Sequence, residues 1–184
     1  MKKNMLLALW LPLTAITIFA SCKKNTDGLP TETAYGANTF GCKINGLSYT
    51  PQGGDPSSGI YPLSGGLYED AIGNRGIYLR TINGSQNLHL YIKNASDTGV
   101  YYFNVNTTPK PIAVISESYA CYGENGIGGS KGYFITNATN TGIIRITRFD
   151  PTERIVAGTF SFTAFNSTTN AVITVTDGRF DRKY

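Results

Sequence analysis

The chain has 184 residues, with 16 Lys and Arg against 12 Asp and Glu, a formal net charge of +4 and only 15% charged residues. Its length fits one domain with an appendage. The 41% apolar share argues against disorder, and 21 Gly with 8 Pro argue against a long helical or coiled-coil protein, while 12 Tyr and 9 Phe favour strands.

The first element is an address. Lys2 and Lys3 precede a largely apolar run of 16 residues, Met5 to Ala20, broken by Pro12. That run is too short and too interrupted for a transmembrane helix, but it has the form of a secretory h-region. Small residues follow, and Phe19-Ala20-Ser21-Cys22 resembles a bacterial lipobox, with Phe19 where Leu is more usual. The resemblance implies cleavage before Cys22 and lipidation of that cysteine, hence a membrane partner reached through the lipid. The alternative is an ordinary secretory signal with a chance cysteine. Loss of residues 1–21 removes Lys2 and Lys3 and leaves 14 basic and 12 acidic residues. That balance is too even for a nucleic-acid footprint. Residues 22–37 are polar, aperiodic and contain Gly28 and Pro30, so they read as a flexible tether. Lys23 and Lys24 there are read either as contacts to anionic headgroups or as part of a solvated linker.

From residue 38 onward the pattern is of strands. Thr39–Ile44 and Leu47–Thr50 flank Asn45-Gly46, a strong hairpin signal. Residues 51–75 read as a long Gly/Pro/Ser loop with a short strand near Gly66–Tyr68. Gly76–Asn83 and Asn87–Asn94 form a second hairpin. In its second arm Leu88, Leu90 and Ile92 face the core, while His89, Tyr91 and Lys93 face solvent. Val100–Val105 and Ile112–Tyr122 follow as strands, then a Gly-rich excursion through residues 123–130. Lys131–Asn137 is expected to pair with Gly142–Phe149. Arg154–Asn166, Ala171–Thr176 and a last run to Tyr184 close the chain, with Phe160 and Phe162 pointing into the same core as Leu88. The expected fold is all-β: an antiparallel two-sheet sandwich or flattened barrel, one β-domain over residues 38–184.

Three segments near the end, Gly142–Thr147, Ile155–Phe162 and Val175–Asp181, together with the opening Thr39–Gly46, resemble a family of small Bacteroidetes-type lipoproteins of unknown function. The resemblance implies an envelope β-domain, located at the outer membrane, and brings no activity with it. Acidic residues after the lipid cysteine accompany surface export in that group. Lys23-Lys24-Asn25 lacks them, which points toward the periplasm.

Chemistry-bearing residues are sparse. His89 is the only histidine, which disfavours zinc and triad chemistry, and on a polar strand face it reads as an exposed surface residue. The 123–132 glycines lack the Lys-Ser/Thr ending of a phosphate loop and open no helix. Glu69-Asp70, Asp150 with Glu153, and Asp177 with Asp181 are the carboxylate pairs, each in a turn or strand context without further catalytic company. No calcium-loop spacing is present. The Asn-X-Ser/Thr sequences at Asn83, Asn94, Asn106, Asn137 and Asn166 read as turn markers. Tyr61 and Tyr68 in the long loop are the candidate ligand contacts. Cys42 and Cys121 are the cysteines left for a disulfide in an oxidising compartment, where they would close a loop of 80 residues, counting both ends; the alternative is two buried thiols. The sequence therefore reads as a lipid-anchored, non-enzymatic envelope domain without a cofactor, with an envelope protein or glycan as partner. Two alternatives stand beside it: a carbohydrate or peptide module built on loops 51–75 and 122–131, and a small hydrolase.

Overall fold

The computed structural model describes residues 28–69, 73–109, 117–124 and 131–184. Cys22 and its signal therefore lie outside the described residues, as do Asp70 and the middle of the Gly-rich excursion.

Among the described residues eleven strands form one antiparallel sheet. They are β1 (Thr39–Ile44), β2 (Leu47–Tyr49), β3 (Leu63–Glu69), β4 (Arg75–Asn83), β5 (Gln86–Lys93), β6 (Gly99–Phe103), β7 (Tyr119–Glu124), β8 (Phe134–Ile135), β9 (Gly142–Asp150), β10 (Ile155–Asn166) and β11 (Ala171–Lys183). A single-turn 3-10 helix at Pro56–Ser58 is capped by Asp55. Nine strands follow one path, β2-β1-β11-β10-β8-β7-β5-β4-β3, and the sheet curls strongly into a half-barrel. The all-β antiparallel expectation holds, on the barrel side of its two alternatives.

Strand β10 is the branch point. Residues 155–162 pair with β9, which carries β6 on its far edge, and Phe165 pairs with Ile135 of β8. The two arms fold toward each other over one core. Leu79, Leu88, Leu90 and Ile92 come from one arm, Phe103, Ile144 and Ile146 from the other, and Phe160, Phe162 and Phe180 from the centre. The alternation of Leu88, Leu90 and Ile92 and the inward aim of Phe160 and Phe162 are as the pattern predicts.

A bulge in β11 adds to the curl. Asp177 takes a left-handed φ of 53°, and both neighbouring strands lose register beside it, between Gly41 and Lys43 and between Phe160 and Phe162. An extra residue on one strand bends that strand and increases its twist. Gly178 completes the kink because the Phe160 ring lies where its side chain would go.

Several expectations require correction. The 51–75 loop contains a full seven-residue strand, β3, paired to β4 from Leu63↔Thr81 to Glu69↔Arg75. Gly65 and Gly66 conceal it by weakening the apolar alternation. The 131–137 segment does not pair with β9, whose two edges are taken by β6 and β10; it pairs with β7 and β10 instead. The Asn137 side chain accepts from the N–H groups of Thr139 and Asn140 and turns the chain there. Gly123 and Glu124 belong to β7, and residues 112–116 of the predicted strand lie outside the described residues.

The domain also begins earlier than expected. Residues 28–37, assigned above to the tether, form a strap along β1 and β11. Leu29 is buried, and Pro30 packs on Gly41, where any side chain would collide with it. The buried carboxylate of Asp181 accepts from Thr33 Oγ1 (2.8 Å) and from the N–H groups of Tyr35 (3.0 Å), Gly36 (2.8 Å) and Ala37 (3.0 Å). Arg148 and Arg179 donate to the carbonyls of Ala34 and Pro30. Composition suggested a tether because the strap has no regular hydrogen-bond period; its partners are a side chain 144 to 148 residues away.

Candidate functional site

An open hollow lies on the outer face of the β6-β9-β10-β11 arm. Register places Tyr102 opposite Ile143, and Ile143 opposite Ser161, so these three side chains form a row across three strands. Thr163 opposite Thr174 forms the next row. Together with Thr141 and Thr176 they line an open trough of about 590 Å³. Tyr102 is 59% exposed and Ile143 43% exposed, two large apolar side chains side by side on a sheet face that also carries Ser161, Thr163, Thr174 and Thr176. A second hollow of about 360 Å³ continues past Ile143 and Ser161, with Arg145, Asp177 and Arg179 at its rim. Asp177 is paired there with Lys43 at 3.2 Å. The trough therefore offers an aromatic-aliphatic platform, a band of hydroxyls, and charge at one end. The expectation had looked to loops; these residues, Thr141 apart, come from strands, and the only signal for them was the apolar pair Tyr102 and Ile143 at positions whose neighbours alternate inward.

The expected ligand contacts do not meet. Tyr61 is exposed beyond one end of β3, whereas Tyr68 lies near the other end, roughly 23 Å away along an extended strand. Tyr68 leans across Gly76, its register partner, and joins a second cluster with Tyr78, Tyr91, Tyr119 and Cys121 on the outer face of β4, β5 and β7. Ring centroids there are 4.8 Å apart for Tyr78 and Tyr91 and 4.5 Å for Tyr91 and Tyr119.

This cluster also corrects the reading of His89 and Tyr91. Tyr91 is buried, and His89 is largely enclosed between Tyr78 and Tyr91 rather than exposed. Its Nε2 has no hydrogen-bond partner in the structure. Burial, with a smaller contribution from Arg80, pushes its pKa down to about 4. The solvent face of this hairpin is thus a second apolar layer.

Cys42 and Cys121 are free, buried thiols, so the expected bridge is absent. The reason is strand phase. Tyr122 points into the main core, where its ring meets Tyr49, the register partner of Cys42. Cys121, one residue earlier, points to the opposite face and belongs to the tyrosine cluster. Burial pushes the Cys42 thiol up to about 12 and raises that of Cys121 as well.

The carboxylate pairs have separate structural tasks. Glu69 pairs with Arg75 at 2.7 Å, and Asp150 caps the β9–β10 turn through the N–H of Glu153 while holding Arg148. Asp181 holds the strap and Asp177 pairs with Lys43. Among the described residues no group of three or more His, Cys, Asp or Glu gathers as a metal site.

Comparison with curated proteins gave no match, and comparison with solved structures gave none. A family model does match residues 68–182, from the end of β3 through nearly all of β11. This span is more than half of the chain, and the protein belongs to that family, a domain of unknown function (DUF6252).

Proposed function

We propose that this protein is a lipid-anchored domain of the bacterial envelope, held at the outer membrane through Cys22, that binds an envelope glycan in the trough on β6, β9, β10 and β11. The observation that carries the binding reading is the exposed row Tyr102–Ile143–Ser161. A saccharide ring presents an apolar face and a rim of hydroxyls. An aromatic-aliphatic platform bordered by Ser161, Thr163, Thr174 and Thr176 is complementary to both. The anchoring reading rests on the lipobox-like Phe19-Ala20-Ser21-Cys22.

The test has two arms. Metabolic labelling with palmitate and detergent-phase partition compare the parent with Cys22→Ser; labelling and partition are expected to disappear in the variant. Binding of the purified protein to an array of bacterial envelope glycans compares the parent with Tyr102→Ala, for which a loss of about tenfold, equal to about 1.4 kcal/mol, is expected. A parent that binds no glycan, or a Tyr102→Ala variant that binds as well, overturns the trough assignment. A Cys22→Ser protein that still labels and partitions overturns the anchor.

A further inference from the structure

The strap fixes where the described chain begins. Gly28 lies against Ser48 of β2, beside the β1–β2 turn. That turn meets the start of β11, since Asn45 N–H donates to Thr174 O and Thr174 N–H to Asn45 Oδ1, both at 2.9 Å. The 50–62 loop reaches the same end, because Gln52 N–H donates to Ile82 O and Asn83 Nδ2 to Thr50 O. The strand directions along the sheet set the β1–β2, β4–β5 and β10–β11 turns on one side, and the described chain begins beside the first of them at Gly28.

Two properties distinguish this end. It carries large exposed apolar side chains: Leu47 at 76%, Tyr61 at 52%, Ile60 at 46%, and Val172 on β11. Its turns, Asn45-Gly46, Gly84-Ser85 and Ser167 to Asn170, hold no ionisable residue. Asp55 is present in the loop with its carboxylate held by the hydroxyls of Ser57 and Ser58, and Glu124 and Lys131 flank the end with opposite charges. The other end is unlike it: its exposed turn residues include Glu69, Arg75, Asp97, Glu153 and Arg154, and the nearest exposed large apolar residue is Tyr35 of the strap.

Five residues lie between Cys22 and Gly28, so the six steps from one to the other reach at most about 22 Å. A tether extending to residue 37 would have let the domain swing freely. With the strap docked, the Gly28 end stays within a short distance of any bilayer holding a lipid on Cys22. We propose that this end of the domain rests on that bilayer, with Leu47 and Tyr61 entering the interfacial layer, where an apolar side chain or an amphipathic ring is favoured. The inference depends on the Cys22 anchor proposed above. It adds an orientation: the Thr163–Thr174 side of the trough, joined to the β1–β2 turn through Asn45, faces the lipid, and the row Tyr102–Ile143–Ser161 lies farther from it.

The test uses the full lipidated chain reconstituted in vesicles of phosphatidylethanolamine and phosphatidylglycerol containing a doxyl-labelled quencher lipid. Leu47→Cys, Tyr61→Cys and, as the distant control, Thr152→Cys each carry an environment-sensitive fluorophore; buried Cys42 and Cys121 stay unlabelled in the folded protein. Quenching about twofold or more above the control, with a blue shift, is expected at positions 47 and 61. Vesicles that float with the protein while all three probes quench alike overturn the orientation and leave the anchor standing. Parent protein that does not float overturns both, and flotation distinguishes the two failures.

Discussion

The ring of Tyr184 occupies the space that a side chain on Gly66 would need. The two residues belong to β3, at one end of the sheet path, and to the segment just past β11, on the other side of the opening. Arg182 Nε also donates to Gly65 O at 3.1 Å, and Arg154 lies over the Tyr184 ring at 5.5 Å. The gap in the half-barrel is therefore closed by side chains rather than by a backbone ladder. Glycine at 66 is what permits the approach, whereas a side chain on Gly65 would collide with the Tyr78 carbonyl of β4.

Gly66→Ala is expected to cost about 1–3 kcal/mol, the range for overpacking a close contact. The added methyl would meet the base of the Tyr184 side chain, which cannot yield without the whole ring leaving. A double-mutant cycle with Tyr184→Ala in chemical denaturation checks the cause. In the Tyr184→Ala background the glycine substitution should cost markedly less, with a coupling of about 0.5–3 kcal/mol. Additive losses would place the strain elsewhere.

Asp181→Ala should release the strap. The substitution removes the acceptor for three backbone N–H groups and one hydroxyl, and hydrogen bonds to a charged group contribute about 1.5–3 kcal/mol each before the freed donors find water. A net loss of about 2–4 kcal/mol is expected, with Asp181→Asn less severe because it keeps one acceptor oxygen. Hydrogen exchange locates the effect: the amides of Tyr35, Gly36 and Ala37 should exchange much faster while those of β5 keep their rank. Unchanged exchange at those three amides would contradict the strap's dependence on Asp181.

Strand identity was legible wherever alternation and turn chemistry agreed, as at Asn45-Gly46, across Leu88, Leu90 and Ile92, and along Phe160 and Phe162. It failed where glycine served packing. Gly65 and Gly66 resemble a loop in composition, yet Gly65 fits against the Tyr78 carbonyl of β4 and Gly66 lets Tyr184 close the barrel. The strap failed for a related reason: a segment whose hydrogen bonds end on one distant carboxylate leaves no periodic trace. The tyrosine cluster was misread because Tyr and His count as polar in a binary pattern, although their rings stack as a second apolar layer. The trough was hidden because its members are ordinary solvent-face residues on four strands; only the register brings Tyr102 beside Ile143.

The thiol prediction follows from strand phase. In the folded, unreduced protein, Cys42 and Cys121 should both be inert to a thiol reagent at neutral pH, because each is buried and its deprotonation is strongly disfavoured. Unfolding in denaturant without reductant should expose both as titratable thiols. Mass spectrometry that found a Cys42–Cys121 bridge in the native protein would require Cys121 and Tyr122 to exchange faces, which would shift the β5–β7 register by one residue.

His89 sets an acid limit on stability. Its folded pKa of about 4 lies below the ordinary value of 6.5, so the unfolded chain binds the proton more readily. Stability is then level above about pH 6.5 and falls as the pH drops toward 4, where the folded form also protonates. A shift of that size corresponds to at most about 3 kcal/mol across the window. The physical cause is enclosure by Tyr78 and Tyr91 with the cationic Arg80 as cross-strand partner, which disfavours a second positive charge on the imidazole. His89→Phe, which keeps a ring in the cluster and cannot titrate, should flatten the stability profile between pH 6.5 and 4 relative to the parent. Nitrogen-detected NMR of the parent gives the direct reading: a His89 midpoint near 4 is expected, and one at or above 6.5 would mean that the tyrosine cluster opens to water around the imidazole.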